Sequence, residues 1–155
     1  MKLADELHAI VAALRSAGVR HAVCGGVAVG VHLATRAPKD LDIDVIVAPD
    51  DVGRVLDAVR PLGYRFVAAL ATFDAGTRRE RTEQSVVKLE GGGYMRLDIL
   101  LASASLADAL DDPIEVQLPR GPLAVVSRAT LIRMKQMAGR AQDLIDLSTL
   151  ERDLG

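Results

Sequence analysis

Three aspartates spaced two apart, in an apolar stretch that follows a double glycine, constrain this chain more than any other feature. The run Cys24-Gly25-Gly26 leads through Val27-Ala28-Val29 to Lys39-Asp40-Leu41-Asp42-Ile43-Asp44-Val45-Ile46-Val47. In an extended strand, residues two apart point to the same face. Asp40, Asp42 and Asp44 therefore share one face, while Leu41, Ile43 and Val45 share the other. Two carboxylates roughly 5 Å apart repel by about 3 kcal/mol at an effective dielectric of 20. A purely structural strand gains nothing from that cost. A hard divalent cation such as Mg²⁺, which prefers carboxylate oxygens, removes it.

A further acid stands in another strand-like run, Tyr94-Met95-Arg96-Leu97-Asp98-Ile99-Leu100-Leu101, where Asp98 lies on the opposite face from Leu97 and Ile99. If the two strands are neighbours, Asp40, Asp42 and Asp98 converge. Three carboxylates with open positions suit one or two Mg²⁺ ions whose shell is completed by substrate phosphates. The Gly25-Gly26 break opens a helix, and a helix N-terminus offers free N–H donors to a phosphate.

The remaining chain supplies one α/β domain. Leu3, Leu7, Ile10, Val11 and Leu14 recur at helical spacing and predict a helix over about residues 3–17, capped by Gly18. Val19 to Cys24 reads as a buried strand, Val27 to Leu33 as a helix, and Leu41 to Val47 as the acid-bearing strand. Pro49-Asp50-Asp51 starts a helix that ends at Pro61, with acids where the helix dipole favours them. Tyr64 to Leu70 is a candidate strand, and residues 72–84 read as a polar loop or edge. Gln84–Leu89 and Tyr94–Leu101 form a hairpin about Gly91-Gly92-Gly93. A short helix is expected over Leu106–Leu110 and a strand over Ile114–Leu118. Ser127 caps a helix reaching Ala138, and Arg140–Leu154 forms the last one.

Composition narrows the class. The chain has 155 residues, enough for one domain with a real core, and its net charge is −2, which argues against a strongly basic nucleic-acid binder. The one cysteine, Cys24, leaves no internal disulfide and reads as a buried small hydrophobe. The first residues carry acids where a signal peptide carries basic side chains, and no apolar run approaches the roughly 20 residues needed to span a bilayer. A cytoplasmic protein is expected.

The order Gly25-Gly26, then Arg36-x-Pro38-x-Asp40-Leu41-Asp42, then Leu97-Asp98-Ile99-Leu100, resembles the nucleotidyltransferase superfamily with the DNA polymerase β-like fold. It is closest to abortive-infection toxin-type and minimal nucleotidyltransferases. Leu131-Ile132-Arg133-Met134-Lys135 and Arg140-Ala141-Gln142-Asp143-Leu144-Ile145-Asp146 also resemble that group's helical tail. The resemblance spans about residues 22–150. It implies a mixed β-sheet flanked by helices, with a short helical tail over about residues 127–154. It implies that Gly25 and Gly26 hold a triphosphate, that Asp40 and Asp42 ligate Mg²⁺, and that Asp98 ligates a second ion or activates the attacking hydroxyl. The implied reaction moves a nucleoside monophosphate from an NTP, such as ATP, to a hydroxyl on a tRNA, a protein or a small molecule. A toxin–antitoxin component is one version. The short tail also leaves room for a homodimer or a partner chain on the acceptor side. The competing reading is an inactive member of the same fold, acting as a binding or antitoxin-like protein.

Other residues carry two readings. Lys135 reaches a phosphate or lies on a solvated helix face with Arg140, Asp143 and Asp146. Arg36 binds a phosphate or braces the loop before the strand. Asp44 reads as a polar residue on the strand's wet face in preference to a spare ligand. His32 reads as a helix-end residue. The Arg78-Arg79-Glu80-Arg81 run reads as a solvated loop in preference to a contact for an acidic acceptor.

Overall fold

A computed structural model describes residues 1–33, 42–66 and 68–154. Arg36 and Asp40 fall outside these residues. Five helices are described: α1 (Leu3–Ser16), α2 (Gly25–Leu33), α3 (Val52–Val59), α4 (Arg128–Ala138) and α5 (Ala141–Leu154). Eight strands alternate with them: β1 (His21–Cys24), β2 (Asp42–Val47), β3 (Arg65–Phe66), β4 (Ala71–Phe73), β5 (Arg81–Glu90), β6 (Gly93–Leu101), β7 (Ile114–Leu118) and β8 (Gly121–Val125). They form one mixed sheet in the order β3-β5-β6-β2-β1-β8-β7, with β4 also on the β5 edge. Among the described residues, no helix is long and apolar enough to cross a membrane.

The local causes are those expected from the sequence. Leu7, Ile10, Val11 and Leu14 form the buried stripe of α1, and Gly18 beyond it takes a left-handed φ of +69°. Ser127 caps α4 by accepting from Thr130 N, and Gly139 ends that helix at a φ of +64°. Such a φ costs glycine little and other residues more. Pro49 and Pro61 sit in short 3₁₀ turns on either side of α3.

Several elements differ from expectation. The candidate strand over Tyr64–Leu70 is described only as the two-residue β3, and β4 begins at Ala71 where it was expected to have ended. Strand β5 starts at Arg81, because its polar first half is hydrogen-bonded between β4 and β6. Residues 81–84, read as part of a polar loop or edge, are therefore ladder. The expected helix over residues 106–110 shrinks to a 3₁₀ turn, Ala104–Leu106. Strand β8 was not expected, since Gly121 and Pro122 open it; it pairs with β1 in parallel and β7 in antiparallel fashion.

Strand alternation divides the sheet. Ile43, Val45 and Val47 of β2 and Met95, Leu97 and Ile99 of β6 are fully buried on one face. On that side, buried Glu6 of α1 accepts from the buried Tyr64 Oη at 2.8 Å and from Lys88 Nζ of β5, which is half-buried, at 3.0 Å. Burial first, then the hydrogen bond to Glu6, pushes the Tyr64 phenol far above its ordinary value. The other face carries Asp42, Asp44, Ser85, Arg96 and Asp98, and α2 packs there against α4 and α5.

Candidate active site

The sheet register assembles the site. Strands β2 and β6 are parallel, with Asp42 opposite Arg96 and Asp44 opposite Asp98. On the far side of β6, Ser85 of β5 lies opposite Asp98. On the far side of β2, Cys24 of β1 lies opposite Asp44 and the chain turns at once into α2. A cavity of about 490 Å³ opens over this point. Its walls include Gly25, Gly26, Asp42, Asp44, Arg81, Glu83, Arg96, Asp98, Lys135 and Arg140. A second hollow of about 330 Å³, at the start of α4 beside Asp108 and Arg133, contains none of the sequence-predicted residues.

Gly25 is what lets the acid in. A Cβ at position 25 would overlap the Asp44 carboxylate and stand 2.8 Å from its Cγ. The residue also takes a φ of +66°, where side chains are strained. The double glycine thus serves a carboxylate as well as the helix start. Gly26 has open space around its Cα.

The acids are crowded. Burial comes first in pushing the Asp44 carboxyl well above the ordinary carboxylate range. The charge of Asp98, a hydrogen bond shared with it, and the charges of Asp42 and Glu83 add to the effect. Glu83, on the same face of β5, is raised too, by burial and then by Asp98, against the pull of Arg81, Arg96 and Arg140. Asp98 Oδ1 is fixed by Ser85 Oγ at 2.5 Å and Arg96 Nε at 2.8 Å, and Arg96 Nη2 donates to Ser85 Oγ at 3.0 Å. Burial, then the nearby Asp44 and Asp98 charges, drives the Cys24 thiol well up. It is an inert wall residue, as its sequence setting suggested.

A hard divalent cation such as Mg²⁺ takes carboxylate oxygens. Among the described residues, no three His, Cys, Asp or Glu side chains stand in place to hold a metal ion. The chemistry of the donors fits one all the same. They are hard carboxylate oxygens, and the Asp44 carboxyl is held well above the usual range first by burial and then by the negative charge gathered beside it. A cation among these oxygens would oppose that shift.

On the helical side, Lys135 Nζ donates to Asp143 Oδ1 at 2.8 Å and lies 3.3 Å from Asp146 Oδ2. Arg140 donates to Asp143 Oδ2 from its backbone N at 3.1 Å and its Nε at 2.8 Å. Lys135, Asp143 and Asp146 are buried. Burial pushes the Asp143 carboxyl up, but the hydrogen bonds from Arg140 and Lys135 outweigh it and hold it below its usual range. Both readings of this cluster contribute: Lys135 faces the cavity, yet its charge is already engaged by two acids. His32 contacts Val126 O at 2.9 Å through Nε2, a structural bond between α2 and the end of β8.

The structure therefore brings Gly25, Gly26, Asp42, Asp98 and Lys135 to one cavity. It adds Asp44, read from the sequence as a polar residue on the strand's wet face in preference to a spare ligand; it stands level with Asp98 and lines the cavity. It also adds Glu83 and Arg81, which lay in the segment read as a polar loop or edge. An acid at period two from Ser85 was the only signal available for Glu83.

The chain matches no known protein-family model and no curated protein. Solved structures do resemble it. ANT(2'')-Ia in complex with adenylyl-2''-tobramycin superposes with a TM-score of 0.66 at 18% identity, over 97% of this chain and 88% of that one. The lincosamide antibiotic adenylyltransferase LnuA, lincomycin-bound, gives 0.62 at 16% identity, over 95% of each chain. TM1012 of Thermotoga maritima, assigned as a nucleotidyltransferase, gives 0.66 at 11% identity, over 96% of this chain and 92% of that one. With this sheet order and these helices, the chain has the nucleotidyltransferase fold.

Proposed function

We propose that this protein transfers a nucleoside monophosphate from an NTP to an acceptor hydroxyl and releases pyrophosphate. The observation that carries the reading is the level pairing of Asp44 with Asp98 across parallel strands, beside a glycine that leaves room for the carboxylate. Asp42, Asp44 and Asp98, together with Asp40 from the sequence reading, would hold Mg²⁺. When bound, the ion neutralises phosphate charge and positions the reacting oxygens. Gly25 and Gly26 present backbone N–H groups of the α2 terminus to the phosphates. Ser85 and Arg96 fix the orientation of Asp98. In the transfer, the acceptor oxygen bonds to the α-phosphorus, the bond to pyrophosphate breaks, and the hydroxyl proton leaves to a neighbouring carboxylate. Little covalent chemistry is asked of the protein, so positioning and electrostatics are sufficient.

A small hydroxyl compound is the acceptor we favour over a tRNA or a protein. Support comes from the shared architecture with ANT(2'')-Ia and LnuA, whose structures hold adenylyl-2''-tobramycin and lincomycin. ATP as donor, a cytoplasmic location, and a second chain on the acceptor side belong to the same proposal. That second chain is a copy of this one or the partner in a toxin–antitoxin pair. An inactive binding protein is the second reading, and Arg96 favours it by occupying an oxygen of Asp98 in place of a cation.

Calorimetry with ATP, with and without Mg²⁺, separates the two. Transfer requires metal-dependent binding that Asp42→Asn and Asp98→Asn abolish, and label from α-³²P-ATP must appear on an acceptor in a cell extract. Metal-independent binding without labelled product assigns the chain to the second reading.

A further inference from the structure

We infer that Arg81 is an anion clamp of the cavity, built to hold the terminal phosphates of the nucleotide; the choice of ligand rests on the nucleotidyl-transfer reading. In the sequence Arg81 stands out only as part of the Arg78-Arg79-Glu80-Arg81 run, read as a solvated loop in preference to a contact for an acidic acceptor. Three neighbours surround its guanidinium. It stacks over the Phe73 ring at 4.9 Å from the centroid, and it lies 3.7 Å from Asp74 Oδ2 and 3.8 Å from Glu83 Oε2. Both carboxylate separations exceed hydrogen-bonding distance. Among the described residues, no hydrogen bond engages its donors, although Arg81 forms part of the cavity wall. The side chain is only 30% exposed. A planar fork with five N–H donors, paired with two carboxylates only beyond hydrogen-bonding distance, matches the oxygens of a phosphate better than those of a neutral group.

Position selects the distal phosphates. Arg81 stands on β5 four residues before Ser85, the partner of Asp98. That spacing is about 13 Å along the strand, on the same face. Asp44 and Asp98 stand level on adjacent strands, where a cation would serve the transferred phosphorus. Negative charge further along an extended polyphosphate needs a cation of the protein's own. Lys135 is already held by Asp143 and Asp146, and Arg140 by Asp143. Arg81 differs from them in that, among the described residues, it closes no hydrogen bond and meets its two acids only at 3.7 and 3.8 Å.

The test is titration calorimetry of the full chain and of Arg81→Gln with ATP, AMP and inorganic tripolyphosphate, all in Mg²⁺. Arg81→Gln is expected to weaken ATP and tripolyphosphate by about tenfold and to leave AMP within twofold. Arg81→Lys keeps the charge and stem but not the fork, and should lose several-fold; it replaces Arg81→Gln if that variant does not fold. Equal losses for AMP and ATP, or ATP affinity unchanged in both variants, overturn the clamp while leaving nucleotide binding in place. A wild-type chain that binds tripolyphosphate through Arg81 but not ATP refutes the transfer reading and keeps the anion site. One that binds neither refutes both.

Discussion

At the scale of single residues, Asp44 carries a conflict between stability and use. Its carboxyl is held well above the usual range by burial and by three neighbouring acids. A neutral amide of the same shape keeps the hydrogen-bonding capacity and removes the repulsion. Asp44→Asn should therefore stabilise the metal-free protein by about 1 kcal/mol, or roughly 3 °C in melting temperature. Nucleotidyl transfer should fall about a hundredfold or more, because a charged group at the reacting centre is lost. Thermal melting in EDTA and a labelled-ATP assay read the two effects, and a variant both less stable and fully active would contradict the assignment. The sequence showed that Asp42 and Asp44 share a face, because alternation is local. It did not show which of them stands level with Asp98. That register is fixed between strands more than 50 residues apart, by pairing that no short window encodes.

At the scale of elements, the α4–α5 junction is an ionic clasp. Lys135 is buried between Asp143 and Asp146, and Arg140 closes over Asp143. Lys135→Met leaves the two buried carboxylates short of a cation and should cost about 3–5 kcal/mol. A drop in the urea midpoint with an unchanged m-value reads that cost. The clasp also predicts a pH dependence. The Asp143 carboxyl is held below its ordinary value. Its contribution is therefore complete above the unfolded value of about 3.9 and is lost as pH falls toward the lower folded one. The stability gap between wild type and Asp143→Asn should be full at pH 7 and shrink below pH 4, as urea titrations at both pH values would show. Helices of this kind were legible in the sequence: Ser127 and Gly139 fall where caps are needed, and the apolar stripe of α1 is regular. The strands β5 and β8 were less so. Polar residues begin the first and Gly121-Pro122 the second, and only pairing with neighbours on both sides makes them strands.

At the scale of the whole molecule, the proposed Mg²⁺ would be thermodynamically linked to the fold. A cation that binds the assembled acids and not the unfolded chain stabilises by about 2.7 kcal/mol at a hundred times its Kd. Mg²⁺ should raise the melting temperature by several degrees, and Asp42→Asn should abolish the rise; an identical rise in the variant would place the ion elsewhere. The assembly is also strongly non-local. Asp44 stands on β2, Asp98 follows only after α3 and β3–β5, and residues 128–154 supply the α4–α5 side of the cavity. A version cut before residue 128 thus keeps the paired acids of β2 and β6 and loses the wall that Lys135 and Arg140 form above them.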